Sequence, residues 1–153
     1  MRFKLFLIIF IIAFSSIANA QCKSGKIMVK ASKAEMKPYN MDAYVDNELI
    51  YGKQPKTIET PFTAYSGESY KLIFASDNVP QGISIGIYDK NKRAKTRKEL
   101  YKYDFKVGDT RAPVFEIKKP GNYYIQFDVP PSDDEKVLKK GCMYTMIGFK
   151  ENE

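Results

Sequence analysis

Residues 118–131, with the sequence KKPGNYYIQFDVPP, constrain the fold more than any other stretch of this chain. A Pro-Gly pair opens the stretch and a Pro-Pro pair closes it, and proline cannot donate to a β-ladder. Between these signals, side chains alternate between two faces. One face carries Tyr123, Ile125, Phe127 and Val129, and the other carries Asn122, Tyr124, Gln126 and Asp128. A period of two predicts a half-buried antiparallel strand.

Alternation of the same kind predicts further strands along the chain. Residues 57–64 and 70–74 are separated by a Ser-Gly pair and predict a hairpin. Residues 39–52 fit both a strand and one helical stripe after an asparagine cap, and we favour extended structure there. The other predicted strands cover residues 27–31, 83–88, 101–107, 115–117 and 142–149.

A helix is predicted for residues 133–140. Residues 132–135 (Ser-Asp-Asp-Glu) have the form of a capping box, two lysines occupy the last turn and a glycine follows. Helix capping explains these acids better than a calcium site does, so no metal site is predicted. Together, the short and regularly spaced strands predict an all-β fold. We expect a single antiparallel β-sandwich of jelly-roll-like topology, with one short helix near the C-terminus.

Residues 1–20 have the form of a secretory signal peptide. Arg2 and Lys4 precede a short apolar run, and small residues that end in Ala20 form an A-x-A cleavage site. The apolar run is too short for a comfortable membrane span, so no transmembrane segment is expected in the mature protein. Cleavage after Ala20 leaves one domain, residues 21–153. This export places the protein in the periplasm, on the cell surface or outside the cell.

The chain is basic, with a formal net charge of +7. Removing the leader takes away two cations and no acid, which leaves +5. Such a charge bears on association and solubility and not on the fold. The expected partners are an envelope protein, a glycan, or an anionic polymer or lipid surface, and no nucleic acid. A lysine-rich soluble surface explains the same charge without any ligand.

The two cysteines, Cys22 and Cys142, lie near the two ends of the exported chain. Oxidising compartments permit a disulfide. A bridge between them would close nearly the whole domain and contribute about 4 kcal/mol in the chain-entropy model. The alternative is an unpaired Cys22 and a buried Cys142 thiol, because pairing cannot be deduced from sequence. A lipid anchor at Cys22 is disfavoured, because Gln21 precedes it where lipoprotein processing needs a small residue.

No catalytic or cofactor constellation is recognisable. The chain has no histidine, which removes the usual general base, every Ser-His or Cys-His dyad and the commonest zinc ligand. We therefore predict no enzyme and no cofactor. A hydrolase with paired carboxylates remains a weaker alternative, because it needs only two acids placed across a cleft.

Residues 90–98, KNKRAKTRK, form the sharpest local feature of the sequence. The candidate anion-binding residues are Lys90, Lys92, Arg93, Lys95, Arg97 and Lys98. Clustered cations bind phosphate-rich or sulfated partners in a salt-dependent way, and outside the cytoplasm these are lipopolysaccharide, acidic glycans or lipid headgroups. The favoured alternative is a solvated loop that blunts a sheet edge, a position where lysine is preferred.

Tyrosine is abundant and tryptophan is absent. By alternation, Tyr88 and Tyr124 point outward. If their strands are neighbours, the two rings form a small aromatic platform for a sugar or a peptide. Exposed tyrosines on a β-surface are also ordinary, and the lack of tryptophan weakens the carbohydrate version.

Three segments carry a resemblance to a known family. AYSGESYKLIFAS (residues 64–76), ISIGIYDKN (residues 83–91) and KKPGNYYIQFDVP (residues 118–130) resemble the bacterial pre-peptidase C-terminal domain. The shared motifs are a Gly turn before a Tyr-x-Leu strand, and a Pro-Gly-x-Tyr-Tyr strand. The resemblance implies a non-catalytic β-sandwich of the kind appended to secreted enzymes. The mature chain also looks like small uncharacterised exported proteins of Bacteroidota-type bacteria.

The sequence thus predicts an exported, non-enzymatic β-sandwich that acts as a binding or interaction module of the periplasm or cell envelope. One alternative is a protein that binds a polyanion, a glycan or a lipid through residues 90–98. The other is the hydrolase with paired carboxylates.

Overall fold

The computed structural model describes residues 22, 24–79, 82–106, 108–132 and 140–152. Within these ranges there are one helix, α1 (Gly25–Met36), and eight strands. The strands are β1 (Asn40–Ile50), β2 (Lys56–Ala64), β3 (Glu68–Asp77), β4 (Ser84–Tyr88), β5 (Glu99–Asp104), β6 (Phe115–Ile117), β7 (Gly121–Val129) and β8 (Lys140–Glu151).

The strands form two antiparallel sheets that pack face to face. Sheet I has the order β1-β8-β3-β6, and sheet II has the order β2-β7-β4-β5. Eight strands divided in this way make a jelly roll. The predicted all-β sandwich is therefore confirmed, as is the extended interpretation of residues 39–52, which contain β1.

The main core lies between the sheets and comes from the apolar faces that alternation predicts. Ile83, Ile85 and Ile87 are fully buried, and Ile125, Phe127 and Val129 of β7 pack with them. Each such side chain contributes about 1.5–3 kcal/mol by leaving water. The strand periodicity in the sequence thus identifies the core of this sandwich correctly.

The hairpin predicted from residues 57–64 and 70–74 is wrong. Both segments are strands, but β2 pairs with β7 in sheet II while β3 pairs with β8 and β6 in sheet I. The turn at Gly67, where φ is +85°, carries the chain from one sheet to the other. Phe62 and Tyr70 face each other across the core in an edge-to-face contact, with ring centroids 5.0 Å apart. The apolar face of a strand points into the core whether its neighbour in sequence pairs with it in the same sheet or lies in the opposite sheet. Alternation therefore did not distinguish these two arrangements.

The strand predicted for residues 27–31 is also wrong, because this segment lies in helix α1. Ile27, which a strand would have turned inward, is 69% exposed. Gly25, Ser32 and Met36 are buried instead, at helical spacing. The alternating window is only a few residues long, and the helical period shows only over the full length of α1.

Helix α1 covers the outer face of sheet I and makes a second core. Its buried members are Met36, Tyr39, Ile73, Ala75, Tyr144 and Met146. The helix approaches β8 closely at Gly148, where a Cβ atom would lie 2.3 Å from the Met36 sulfur. The central strands β3 and β8 are thus covered on both faces, which explains why β8 is apolar nearly throughout.

Two cationic side chains from the sandwich fix the C-terminal half of α1. Lys71 of β3 donates hydrogen bonds to the main-chain oxygens of Glu35 (3.1 Å) and Lys37 (3.2 Å). Arg111 forms an ion pair with Glu35 and donates a hydrogen bond to Ser32 Oγ. These contacts satisfy helix carbonyl groups and place positive charge at the negative end of the helix dipole.

Two predictions fall on other parts of the chain. The signal peptide, residues 1–20, lies outside the described residues. So does the helix predicted for residues 133–140, apart from Lys140, which begins β8. Among the residues that are described, no helix is long and apolar enough to cross a membrane.

Candidate functional site

The basic residues 90–98 connect β4 to β5 and lie across the outer face of sheet II. The backbone N–H of Lys92 donates a hydrogen bond to Glu59 Oε2 at 2.8 Å, and its Nζ reaches the main-chain oxygen of Thr57 at 3.5 Å. Both acceptors belong to β2, which lies at the far edge of the sheet. The connection therefore spans the face of the sheet.

Arg97 anchors this connection to the sheet. Its guanidinium carbon lies 3.3 Å from the centroid of the Tyr88 ring. Its Nη2 donates a hydrogen bond to Gln126 Oε1 at 3.0 Å, and its Nη1 lies 3.9 Å from Glu59 Oε2. The side chain is 19% exposed. Planar stacking together with a carboxylate partner is the environment in which arginine cannot be exchanged for lysine.

A chain of hydrogen bonds extends from Arg97 along the outer face. Gln126 Nε2 donates to Asp128 Oδ2 at 2.7 Å, and Thr57 Oγ1 donates to Asp128 Oδ1 at 2.7 Å. Gln126 is only 8% exposed although it belongs to the outward set of β7. Most polar groups buried between residues 90–98 and the sheet are thus hydrogen-bonded to one another, whereas Arg97 Nε has no partner among the described residues.

Tyr88 and Tyr124, the predicted aromatic pair, are direct partners in the β4–β7 register. Tyr88 folds back over Gly86, where a Cβ atom would lie 2.5 Å from the Tyr88 ring. Its hydroxyl donates to Glu99 Oε2 at 3.2 Å. Burial, followed by the Glu99 carboxylate, raises the pKa of Tyr88. Arg97 covers the ring of Tyr88, so the platform and the basic segment form one unit.

The other five candidate cations are exposed, and their backbone is held in place. The exposed residues are Lys90, Lys92, Arg93, Lys95 and Lys98. Asp89 Oδ1 accepts the backbone N–H of Lys98 at 2.7 Å, and Asn91 Oδ1 accepts that of Arg93 at 3.0 Å. The structure therefore presents five cations on a connection that is pinned at both ends. Such a surface can attract anions without a reordering of the chain.

Sequence reasoning missed the acidic and amide residues of this site. Glu59, Gln126 and Asp128 contact the basic segment or its anchor, but their sequence distance from it gives no sign of the contact. The anchor itself also lacks a usable sequence motif. A glycine two residues before a tyrosine, followed later by an arginine, is too common a pattern. The network becomes visible only with the strand order.

Cys22 and Cys142 form a disulfide bond, so the predicted pairing is confirmed. The S–S distance is 2.03 Å and the Cα atoms are 5.5 Å apart. The bond joins the residues just before α1 to β8. Next to it, Ser24 Oγ donates to Asp77 Oδ2 at 2.7 Å, so the start of α1 is attached to both β8 and β3.

Metal-binding residues do not cluster in the part of the chain that the structure describes. No group of three or more histidine, cysteine, aspartate or glutamate side chains there could hold an ion. The acids of the outer face are engaged instead by Arg97, Thr57 and backbone N–H groups. The arrangement is therefore suited to fixing a charged surface.

Comparisons with known proteins give a distant structural likeness. No family model matches the chain, and no curated protein matches it. The chain is similar to a solved structure from work on Bacillus endospore appendages, which are described as a novel family of disulfide-linked pili. The two chains are 10% identical, with a TM-score of 0.43, over 74% of this chain and 91% of the other.

Proposed function

We propose that this protein is an exported, non-enzymatic β-sandwich that serves as a binding or interaction module of the periplasm or cell envelope. The observation that carries the proposal is the Cys22–Cys142 disulfide. Disulfides persist in oxidising compartments and are rare where thiols are kept reduced. The signal-peptide pattern of residues 1–20 supports the same compartment, as does the resemblance to domains of secreted proteins.

The proposal assigns the carboxylates of the outer face a structural role. Glu59 is engaged by Arg97 and by the backbone of Lys92, and Asp128 accepts from Thr57 and Gln126. A catalytic acid or base needs a free position toward a substrate. A hydrolytic activity that Glu59→Gln or Asp128→Asn abolished, while the fold stayed intact, would overturn the non-enzymatic assignment.

A second candidate function is polyanion binding by the exposed cations of residues 90–98. The observation that favours it is the anchoring by Arg97 and Lys92, which holds these cations on one surface. Binding of this kind weakens as salt is added, because it rests on screened charges. The experiment that separates the two candidates must leave Arg97 in place, since this residue is part of the fold.

The test is cross-linking of a tagged copy in its own envelope, comparing wild type with a Lys92→Ser, Arg93→Ser, Lys95→Ser variant. A matched control, Lys56→Ser, Lys118→Ser, Lys119→Ser, removes equal charge from elsewhere. A discrete protein partner captured with all three supports the interaction module. Envelope glycan or lipid that co-purifies with wild type and the control, but not with the first variant, identifies a polyanion binder instead.

A further inference from the structure

A narrow slot opens between the two sheets, at the side where β1 and β2 form the edges. Its volume is about 50 Å³. The lining residues are Val45, Asn47, Thr60, Pro61, Phe62, Ile125, Thr145 and Ile147. The slot is therefore mostly apolar, and it is wide enough for a few waters or a small branched side chain.

Two buried polar atoms at this slot have no partner among the described residues. They are Thr145 Oγ1 and Asn47 Nδ2. Thr145 is 2% exposed, and it lies opposite Val45 in the β1–β8 register. Buried polar groups in native proteins are nearly always hydrogen-bonded. These two atoms thus indicate that the slot receives a group with hydrogen-bonding capacity.

Of the two strands that flank the slot, β1 is the one that can accept a further strand. β2 has Pro61 at its centre, and proline blocks ladder bonding at an edge. β1 runs from Asn40 to Ile50 without a proline. Its only register shift among the described residues lies between Met41 and Ala43. The stretch from Ala43 to Ile50 is therefore a regular, open edge.

A basic groove lies on the opposite face of the same strand. Its volume is about 350 Å³, and it is lined by Lys26, Val29, Lys30, Lys33 and Tyr44. The three lysines recur at helical spacing on the flank of α1 that faces β1. None of them has an ion pair or hydrogen bond within the described ranges of the chain. Tyr44, which is 46% exposed, forms the floor beneath them.

The slot and the groove lie on the two faces of β1, so a strand added to its edge would extend into both. Successive side chains of a strand point to opposite faces. Val45 and Asn47 line the slot, whereas Tyr44 lines the groove. By the same alternation Ala43 falls on the slot side. An added strand would therefore place alternate side chains in the slot and in the groove.

We propose that the β1 edge binds an extended segment of a partner protein by strand addition. This deepens the proposed interaction function and rests on it. The segment carries apolar residues opposite Ala43 and Val45, an acidic residue opposite Tyr44 and a hydroxyl residue opposite Asn47. The acid meets the three lysines of α1, and the hydroxyl meets the unpartnered Asn47 Nδ2 atom. Backbone hydrogen bonds supply affinity and these pockets supply specificity.

The acidic side chains of β1 allow only one acidic residue in the added segment. Asp46 follows Tyr44 by two residues and so shares the groove side of β1. Like charges directly opposite each other across two strands are destabilising. A neutral residue is therefore required opposite Asp46. An anionic lipid surface would use the lysines alone, whereas a peptide strand accounts for the lysines, the open edge and the slot together.

The test is an NMR titration of the isotope-labelled, disulfide-bonded chain with a capped peptide. The peptide is threonine-glutamine-valine-glutamate-valine, whose order places the threonine opposite Asn47 and the last valine opposite Ala43 when it adds antiparallel to β1. We expect shifted amide signals between Ala43 and Ile50. Replacing the peptide glutamate by lysine, or methylating alternate backbone nitrogens, should abolish the shifts. Anionic vesicles used in place of the peptide should leave the β1 amides unchanged.

Protein variants give the matched control. Lys26→Gln, Lys30→Gln, Lys33→Gln should weaken peptide binding about tenfold, as expected for a lost partly buried charge contact. The control variant removes equal charge from the opposite side of the sandwich and should leave peptide affinity unchanged. It carries Lys92→Gln, Arg93→Gln and Lys95→Gln. Absence of β1 shifts with the wild-type chain, or equal affinity of both variants, would overturn the proposal.

Site-specific photo-cross-linking in the envelope separates this inference from the proposed function. The probe replaces Asp46 on β1 in one copy and Asp104 on β5 in another. Capture of a discrete partner only from the Asp104 position would overturn the β1 site and keep the interaction module. Capture of a partner from Asp46 that the peptide displaces supports the β1 site.

Discussion

Arg97 stacks on the ring of Tyr88, with 3.3 Å between its guanidinium carbon and the ring centroid. This contact gives Arg97 a different role from the other cations of residues 90–98. Arg97 is part of the fold, whereas the other cations of residues 90–98 are exposed to solvent. Charge counting along residues 90–98 therefore overstates the number of cations available for binding by one.

Replacing Arg97 should destabilise the protein. We expect Arg97→Ala to lower the free energy of unfolding by about 2 kcal/mol, because it removes the ring contact, the hydrogen bond to Gln126 and the ion pair with Glu59. Arg97→Lys should recover only part of the loss, because lysine lacks the planar fork. Urea unfolding measures both. The control Arg93→Ala, at an exposed position, should stay within about 0.5 kcal/mol of wild type, and an equal loss there would contradict the anchoring role.

Gly86 is required for the folded-back position of Tyr88. A Cβ atom at Gly86 would lie 2.5 Å from the Tyr88 ring, so Gly86→Ala must displace the ring and with it Arg97. We expect a loss of about 1–3 kcal/mol in the free energy of unfolding, as for overpacking of a tight site. The control is Gly52→Ala, where the nearest atom to the new Cβ is 3.9 Å away. Equal stability of the two variants would show that the ring moves at no cost.

The disulfide should contribute strongly to stability because it closes a long loop. Cys22 and Cys142 are 120 residues apart in sequence, and a loop of this length corresponds to about 5 kcal/mol in the chain-entropy model. The double variant Cys22→Ser, Cys142→Ser should lose about this amount. Thermal unfolding with and without a reductant gives the check. Wild type should lose stability on reduction, while the double variant should not respond.

The strands and their buried faces could be predicted from sequence because period-two alternation records a local property, namely which side of each strand faces the core. Ile83, Ile85 and Ile87 are an example, since all three are fully buried. Strand pairing is not local in this sense. β2 and β3 present apolar faces to one core from two different sheets, and no feature of their alternation distinguishes this from a hairpin.

The helix and the outer-face network were missed for different reasons. Helix α1 contains a short alternating window, and the burial of Gly25, Ser32 and Met36 shows the helical period only over its full length. The partners of Arg97 come from β2 and β7, which are remote in sequence. The three-lysine flank of α1 was missed as a consequence, because a strand would have placed Lys33 on the face opposite Lys26 and Lys30.

The unpartnered hydroxyl of Thr145 should be a stability defect of the free protein. We expect Thr145→Val, which keeps the shape of the side chain, to raise the free energy of unfolding by about 1 kcal/mol, because a buried unsatisfied polar group is costly. Thr110→Val at an exposed position should have no comparable effect. Urea unfolding measures the two variants side by side. Destabilisation by Thr145→Val would show that the hydroxyl has a partner in solution.

Tyr101 should make the protein sensitive to alkaline pH. Burial raises the pKa of Tyr101 from 10.0 to about 12, and its hydroxyl donates to the main-chain oxygen of Pro113 at 2.7 Å. Folding therefore favours the neutral phenol. The unfolded chain loses this proton first, so the contribution to stability is complete below pH 10 and is lost as the pH rises toward 12.

The variant Tyr101→Phe isolates this contribution. Chemical unfolding of wild type at a series of pH values should show stability falling above pH 10, and the variant should fall less steeply over the same interval. Tyr65→Phe is the control, because Tyr65 is 65% exposed and its substitution should leave the wild-type slope unchanged. Lysine deprotonation affects all three proteins alike and cancels in the comparison. Parallel curves for wild type and Tyr101→Phe would mean that the Tyr101 phenol ionises equally easily in the folded and unfolded chains.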